Sequence, residues 1–354
     1  MKKKKLLIDL SILKHLYCGL GQIALNYGEY FKEFYSSTEN YELYFLLPKD
    51  KFGAFGNEVK YVSSNFWRKI FPFLIPRTDV WHAIHQCASY KPFGRKTKYI
   101  LTIHDYNFVY EKSAWKAWRY LKKVQREINR ADKIIAVSSF TKSECELYSD
   151  LKGKNVEVIY NGVEQLDTNK AERPVFVEND KSFFFTIGKI KEKKNFHVLL
   201  LLMKYFPEKE LYIAGEKNTK YSNFIERKIK ELDLKNVHLT GVVSNEERIW
   251  LYKNCEAFLF PSLFEGFGLP VIEAMQFGKP VFSSEETSLK EIGGDCVFFW
   301  ENFNPESMKQ VMDKGLEQFS TNPEFARKNI DYAASFSYKK HIEQYLKIYQ
   351  TLLK

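Results

Sequence analysis

What the chain has little of narrows the field first. Its 354 residues include five cysteines (Cys18, Cys87, Cys145, Cys255 and Cys296), an odd number, far apart and without a Cys-x-x-Cys pair. That pattern argues against a disulfide framework or a cysteine zinc site and fits a reducing compartment. Nowhere do 18 consecutive apolar residues occur, so no bilayer-spanning helix is encoded. The lysines at the start, followed by Leu6-Leu7-Ile8, have the opening of a signal peptide, but Asp9 and Lys14 interrupt the apolar run too early. These features predict a cytoplasmic protein, soluble or peripheral on the inner face of the plasma membrane. Internal repeats are absent, and the only low-complexity tract is the lysine run at the start. No ribonucleoprotein motif, zinc spacing or helix-turn-helix signal points to nucleic acid. No Asp-x-Asp pair occurs.

What is present is ordinary globular usage, 45% hydrophobic and 28% charged, at a length that predicts two domains. Charge is distributed unevenly. Residues 1–170 carry 28 basic against 18 acidic side chains, whereas residues 171–354 carry 26 of each. A one-sided field of this kind suggests an anionic partner for the first half, a membrane surface or an acidic polymer, and a well-solvated surface is the plain alternative.

Short apolar runs at Leu6–Leu10, Tyr41–Leu47, Tyr99–Ile103, Lys133–Val137 and Val156–Tyr160 read as buried strands separated by helical patterns. The pattern pauses over residues 162–180 and restarts with Ser182–Ile187, Glu210–Ala214, Val237–Leu239, Ala257–Phe260 and Pro280–Phe282. The alternation predicts an α/β protein of two doubly wound, Rossmann-like domains facing each other across a cleft, with ligands at the carboxyl ends of the strands. The expected boundaries are 1–168 for the first domain and 169–335 for the second. Tyr345, Ile348, Tyr349 and Leu352 form an apolar stripe, so the last segment, about 336–354, is expected to cross back onto the first domain.

The densest chemical signal is Pro261-Ser262-Leu263-Phe264-Glu265-Gly266-Phe267-Gly268-Leu269-Pro270-Val271-Ile272-Glu273-Ala274. It follows a predicted strand, passes two glycines and enters a helix with proline at its first position. The amides of Gly266, Phe267 and Gly268 are open to a ligand, and the helix start adds partial positive charge, an arrangement suited to phosphate. Glu265 is expected at the strand end facing the cleft and Glu273 in the first helical turn. A carboxylate beside a diphosphate is repelled unless it bonds hydroxyls, so both read as sugar or ribose binders.

This segment resembles the Glu-x7-Glu motif of retaining glycosyltransferases of GT-B architecture, family 4 (glycosyl transferases group 1), in their mannosyltransferase-like members. Cys18-Gly19-Leu20-Gly21-Gln22 is similar to that family's glycine loop, with Gln22 where Arg is common. Thr102-Ile103-His104-Asp105, Ala136-Val137-Ser138-Ser139-Phe140 and Ile159-Tyr160-Asn161-Gly162-Val163 match further landmarks in order. Thr186-Ile187-Gly188-Lys189 with Lys194-Asn195 matches the basic pair that opens the second domain, with Lys189 where Arg is usual. The resemblance implies a nucleotide-sugar donor held by Gly19, Gly21, Gly188, Gly266, Phe267, Gly268, Leu269 and Glu273. It implies His104, Glu265, Lys194 and Lys189 as catalytic residues, His104 contacting the transferred sugar with its peptide carbonyl near the anomeric carbon. It further implies retention of configuration, with the leaving phosphate taking the acceptor proton.

The basic pair also has a rationale of its own, because breaking a sugar–diphosphate bond leaves negative charge that fixed cations stabilise. Lys194 is expected to head a helix starting at Asn195, with both lysines pointing into one cleft; Lys189, a point charge, makes a looser contact than a guanidinium fork. With no Asp-x-Asp pair, no metal or other cofactor is expected. Asp105 has three open roles: helix cap, orienting His104, or acting on the acceptor. His82 and His85 read as structural.

The acceptor side is expected in the basic first domain. Residues 112–133 interleave eight cations with Trp115, Trp118, Leu121, Val124 and Ile128 at helical spacing, and Phe66–Arg77 is an aromatic and cationic loop. Either suits an anionic membrane; a core face backed by a wet face is the alternative. The expected activity is transfer of a sugar from GDP-mannose or a UDP-sugar to a glycan or lipid-linked glycan in bacterial surface polysaccharide or lipopolysaccharide assembly. The alternatives are a GT-B nucleotide-sugar epimerase or hydrolase, and a non-catalytic basic binding module.

Overall fold

The computed structural model describes residues 3–15, 19–35, 41–178 and 180–353. The chain forms two compact units, Met1–Gly162 with Tyr338–Lys354, and Val163–Ser337. The changes of unit fall at 162/163 and 337/338 rather than at 168/169 and 335/336. Val163 is tied into the second unit by its N–H, which donates to the Phe336 carbonyl (2.7 Å).

In the first unit the strands are β1 (Lys4–Asp9), β2 (Tyr41–Leu47), β3 (Lys60–Ser63), β4 (Val80–Ala83), β5 (Lys98–Ile103), β6 (Lys133–Ala136) and β7 (Val156–Val158), and the helices are α1 (Gly19–Tyr35), α2 (Phe66–Ile70), α3 (Phe108–Glu111), α4 (Ala114–Arg130) and α5 (Ser139–Tyr148). Among the described residues the strands make one parallel sheet in the order β3-β2-β1-β4-β5-β6-β7. Helices cover both faces of such a sheet, so its strands are continuous apolar runs and not alternating ones. Thus Leu6 to Asp9, Leu43 to Leu47 and Tyr99 to Ile103 are all buried.

The second unit repeats the plan with β8 (Phe183–Ile187), β9 (Glu210–Ala214), β10 (Val237–Gly241), β11 (Ala257–Phe260), β12 (Val281–Ser284) and β13 (Phe298–Trp300), parallel in the order β10-β9-β8-β11-β12-β13. Its helices are α6 (His197–Leu202), α7 (Lys220–Glu231), α8 (Asn245–Asn254), α9 (Leu269–Gln276), α10 (Leu289–Gly293), α11 (Pro305–Thr321) and α12 (Glu324–Ala334). Strand order reverses between β1 and β4 in the first sheet and between β8 and β11 in the second. Ligands of doubly wound sheets gather where the order reverses, at the carboxyl ends of those strands.

The chain ends in α13 (Tyr338–Leu353), which belongs to the first unit. Its buried face is Tyr338, His341, Ile342, Tyr345, Ile348 and Tyr349, with Leu352 only half-buried. Polar groups under this helix are paired: Tyr349 with His82 Nδ1 (2.8 Å), Tyr345 with Thr102 Oγ1 (2.8 Å), and His341 Nε2 with the Tyr27 hydroxyl (2.7 Å). His82 also reaches Thr102 through Nε2 (2.8 Å), which makes it part of the helix-docking network.

Candidate active site

In the second unit the two connections leaving the switch-point strands lie side by side. Beyond β8, Gly188 has φ +155°, and a Cβ there would come within 3.0 Å of Lys194 Cε, so glycine leaves the passage through which the lysine side chain runs. Lys194 does not head a helix: it closes a 3-10 turn, Glu192–Lys194, Asn195 follows in the left-handed region (φ +56°), and α6 begins at His197. This turn buries Lys194 and lays its ammonium over the Phe260 ring, 4.7 Å from the centroid.

Beyond β11, the Pro261–Gly268 segment brings Glu265 to meet it. Lys194 Nζ is 2.5 Å from Glu265 Oε1, and Ser262 Oγ donates to the same oxygen (2.6 Å). The backbone of Glu265 is clamped as well, its N–H donating to Thr287 Oγ1 (3.1 Å) and its carbonyl accepting from Ser288 Oγ (2.9 Å). Burial alone would raise the Glu265 carboxyl, but the charges of Lys194 and Lys193 and the hydrogen bonds from Lys194 and Ser262 outweigh it and hold the group below the ordinary carboxylate range. Glu265 is therefore an anion with most of its side chain buried and a cation in contact.

The loop reaches α9 through Gly268, which has φ +103° and whose added Cβ would lie 2.6 Å from Leu289. Only glycine turns the chain here without displacing Leu289. Leu269 is the first helical residue and Pro270 the second, one place later than the sequence suggests. Phe267 is buried and its carbonyl accepts from Ser288 Oγ (3.1 Å), so Ser288 fixes both ends of the Glu265–Phe267 stretch.

Glu273 lies in the second turn of α9, not the first, and faces α8. Arg248 Nη1 is 3.1 Å from Glu273 Oε1 and the Tyr252 hydroxyl donates to Oε2 (2.9 Å). Arg248 Nη2 also reaches Glu164 Oε2 (3.4 Å). The neighbouring Glu273 carboxylate raises the Arg248 guanidinium further, against burial, while burial raises the Glu164 carboxyl. Lys189 forms its ion pair with neither of these glutamates but with Glu216 (2.5 Å), on a half-exposed surface.

In the first unit His104 follows β5 and is 5% exposed. Its Nε2–H donates to the Ile84 carbonyl (2.8 Å), its backbone N–H to Gln86 Oε1 (3.1 Å), and its carbonyl accepts from Thr141 Oγ1 (3.3 Å). Burial lowers the ring to about 4, so at neutral pH His104 is uncharged, and with the proton on Nε2 its Nδ1 is an acceptor and a poor base. Gln86 also donates to the Asp105 carbonyl (2.8 Å), and Asp105 Oδ1 accepts from the Asn107 N–H (3.1 Å). Asp105 thus shapes the turn into α3. Burial takes His85 down to about 3, and His82 belongs to the α13 network.

Gly19 and Gly21 form the first turn of α1 rather than a loop, and a Cβ on Gly19 would meet nothing within 4 Å; Cys18 lies outside the described residues. The site residues that the sequence does not single out are Ser262, Ser288, Arg248 and Tyr252. Arg248 and Tyr252 stand four apart on one face of α8, a spacing that brings two side chains to a common partner. Ser262 sits one turn of chain before Glu265.

Residues 167–336 match the family described as Glycosyl transferases group 1, and residues 52–165 match Glycosyltransferase Family 4. The chain is 28% identical over 284 residues to the serotype-specific mannosyltransferase WbdA of Escherichia coli, covering 75% of this chain and 33% of WbdA, so it spans about a third of that relative's length. It is 25% identical over 258 residues to the O-antigen chain mannosyltransferase RfbU of Salmonella typhimurium, covering 71% of this chain and 69% of RfbU. Among solved structures, sucrose-phosphate synthase of Thermosynechococcus elongatus superposes with a TM-score of 0.76 at 15% identity over 99% of both chains. Anabaena HepE, solved with UDP-glucose, gives 0.76 at 16% identity over 98% of this chain and all of HepE. At such identities the likeness establishes the fold, two parallel-sheet Rossmann-like units of GT-B type. With the fold and the matches over 52–165 and 167–336 in agreement, the chain belongs to the family 4, group 1 glycosyltransferases.

Proposed function

We propose that this glycosyltransferase is a retaining, metal-independent enzyme that moves a hexose from a nucleotide sugar to a glycan or lipid-linked glycan acceptor during assembly of a surface polysaccharide. The observation that carries this reading is the buried Lys194–Glu265 pair at the switch point of the second sheet. The carboxylate bonds hydroxyls of the transferred sugar and stabilises positive charge at its ring, and the ammonium is in place for the diphosphate oxygen on which charge develops as the bond breaks. The amides of Gly266 to Gly268 and the start of α9 add to that stabilisation, and the absence of an Asp-x-Asp pair from the sequence is consistent with leaving-group support by this cation and these amides. Glu273 is assigned to the ribose. In the first unit, neutral His104 accepts a hydrogen bond from a sugar hydroxyl through Nδ1 instead of removing a proton.

GDP-mannose is the first donor to test, because WbdA and RfbU are mannosyltransferases; a UDP-sugar is the second, because HepE was solved with UDP-glucose. The basic first unit receives the acceptor, with peripheral contact to an anionic membrane. Incubation with a panel of nucleotide sugars, with and without extracted lipid-linked glycans, tests the reading. Release of nucleotide only in the presence of acceptor supports transfer, and equal release without acceptor identifies a hydrolase. Donor choice is read by thermal shift, since a ligand at about 100 times its Kd adds about 2.7 kcal/mol.

A further inference from the structure

The first unit exposes aromatic side chains that its core does not use. Phe66–Arg77, read from sequence as a loop, folds as the short helix α2 followed by a 3-10 turn at Pro72–Leu74. Phe66 (68% exposed), Trp67 (62%) and Phe73 (59%) project from it, with Ile70, Phe71 and Leu74 also exposed. The rings form a continuous row: Phe66 to Trp67 at 5.7 Å between centroids, Trp67 to Phe71 at 6.1 Å, Phe71 to Phe73 at 5.7 Å, and Phe73 to Phe93 at 6.2 Å. On α4, Val124 and Ile128 join the core while Trp115 and Trp118 stay outside.

Between α2 and α4 lies an open groove of about 670 Å³ whose walls include Lys69, Lys91, Trp118, Arg119, Lys122 and Arg126. The acid at its floor, Glu127, is already engaged by Lys91 (2.7 Å) and the Tyr99 hydroxyl (2.9 Å). Among the described residues no carboxylate forms an ion pair with Lys69, Arg119, Lys122 or Arg126. Cations three, four and seven apart on one helix face repel one another and weaken the helix, so the cluster is not there for stability. Two of them lie over exposed rings, Arg119 over Trp115 (4.8 Å) and Lys122 over Trp118 (5.7 Å), which sets charge and aromatic surface at one level.

We propose that this groove binds the phosphate of an anionic lipid headgroup while the ring row from Phe66 to Phe93 enters the headgroup boundary of the bilayer. The inference rests on the membrane contact named under the proposed function and gives it a site and a chemistry. A soluble anion would use the cations but not the ring row. Nucleic acid would stack on separated rings, whereas these pack on one another with Ile70 and Leu74 among them, an apolar strip suited to acyl chains.

Flotation of the full chain with vesicles of phosphatidylcholine, alone or with about one-fifth phosphatidic acid, tests the assignment, with inorganic pyrophosphate as soluble competitor. The wild type is expected to float with the anionic vesicles only. Lys122→Ala/Arg126→Ala should weaken that binding about tenfold or more, as basic residues at an anionic surface do. Trp67→Ala/Phe73→Ala should weaken it as well, with both variants keeping the wild-type melting temperature. The control, Lys142→Ala/Lys152→Ala, removes the same charge on and after α5 and should change binding less than threefold. An equal loss in groove variant and control would overturn the groove and leave diffuse membrane contact standing. Absence of wild-type binding to any vesicle would overturn both, and binding of pyrophosphate without vesicle binding would assign the groove to a soluble anion instead.

Discussion

Lys194 Nζ and Glu265 Oε1 lie 2.5 Å apart on the connections that follow two adjacent strands, β8 and β11, 71 residues apart in sequence. Their side chains are 11% and 13% exposed, so the two opposite charges are held largely out of solvent and in contact. The pair is at once a structural element and, under the proposed function, the cation and anion assigned to the reacting groups.

Glu265→Ala is therefore expected to do two things. Transfer falls by far more than tenfold, because the carboxylate assigned to the sugar is gone. The melting temperature falls as well, since removing one partner of a buried pair costs about 3–5 kcal/mol. Glu265→Gln, which can still accept from Ser262 and Lys194, should recover much of the stability and little of the activity. Activity of Glu265→Ala within tenfold of wild type, a barrier change under about 1.4 kcal/mol, would mean that the reacting sugar lies elsewhere.

Arg248 and Tyr252 take one acceptor position on each oxygen of Glu273 and thereby fix how the carboxylate points. If Glu273 bonds the ribose, wild type prefers a nucleoside diphosphate over its 2′,3′-dideoxy analogue, and Glu273→Ala abolishes the preference. Arg248→Ala should reduce the preference about tenfold, in keeping with a hydrogen bond to a charged group. A preference unchanged in Arg248→Ala but lost in Glu273→Ala would show that the guanidinium serves stability alone.

Stability should fall steeply in mild acid. His85, His104 and His341 are buried with their values lowered to about 3, 4 and 4, and burial takes His82 well below its ordinary value. All four are neutral in the fold and protonate near 6.5 when unfolded, so the contribution is intact above about pH 6.5 and lost as pH falls towards 4. Each titrating histidine adds up to about 1.4 kcal/mol per pH unit. Asp9, raised by burial to about 6, acts in the opposite sense and offsets part of one histidine's share. Urea midpoints from pH 8 to 4.5 check the sign; a midpoint that is flat or rises on acidification would contradict the assignment.

Much of this architecture was legible in the residues. Runs such as Tyr41–Leu47, Glu210–Ala214 and Ala257–Phe260 are buried on both faces, so their apolar continuity survives in the sequence and their limits coincide with β2, β9 and β11. β3, β4 and β13 are three or four residues long, and β4 carries His82 at its centre, a polar residue tolerated there only because Tyr349 and Thr102 bond it. The Glu-x7-Glu spacing marked both carboxylates, yet not that Glu273 would turn towards α8, because its partners, Arg248 and Tyr252, are over twenty residues away. The eight cations of residues 112–133 were visible. That α2 would join them in one groove was not, since a short helix with two nearby prolines has no periodicity to read.

The measurement that bears most directly on the central claim is the effect of Lys194→Ala on turnover set against its effect on donor binding. A cation placed for charge that develops on the departing diphosphate raises kcat more than it tightens the ground state. Single-turnover rates and calorimetric donor affinities of the variant should show kcat lowered about 100-fold or more, on the order of 3 kcal/mol, with donor Kd changed less than about tenfold. Added magnesium should not restore the rate. A variant with unchanged kcat and a Kd raised by the full amount would contradict the account, because Lys194 would then bind substrate and transition state alike, and the leaving-group role would pass to Lys189 and the Gly266 to Gly268 amides.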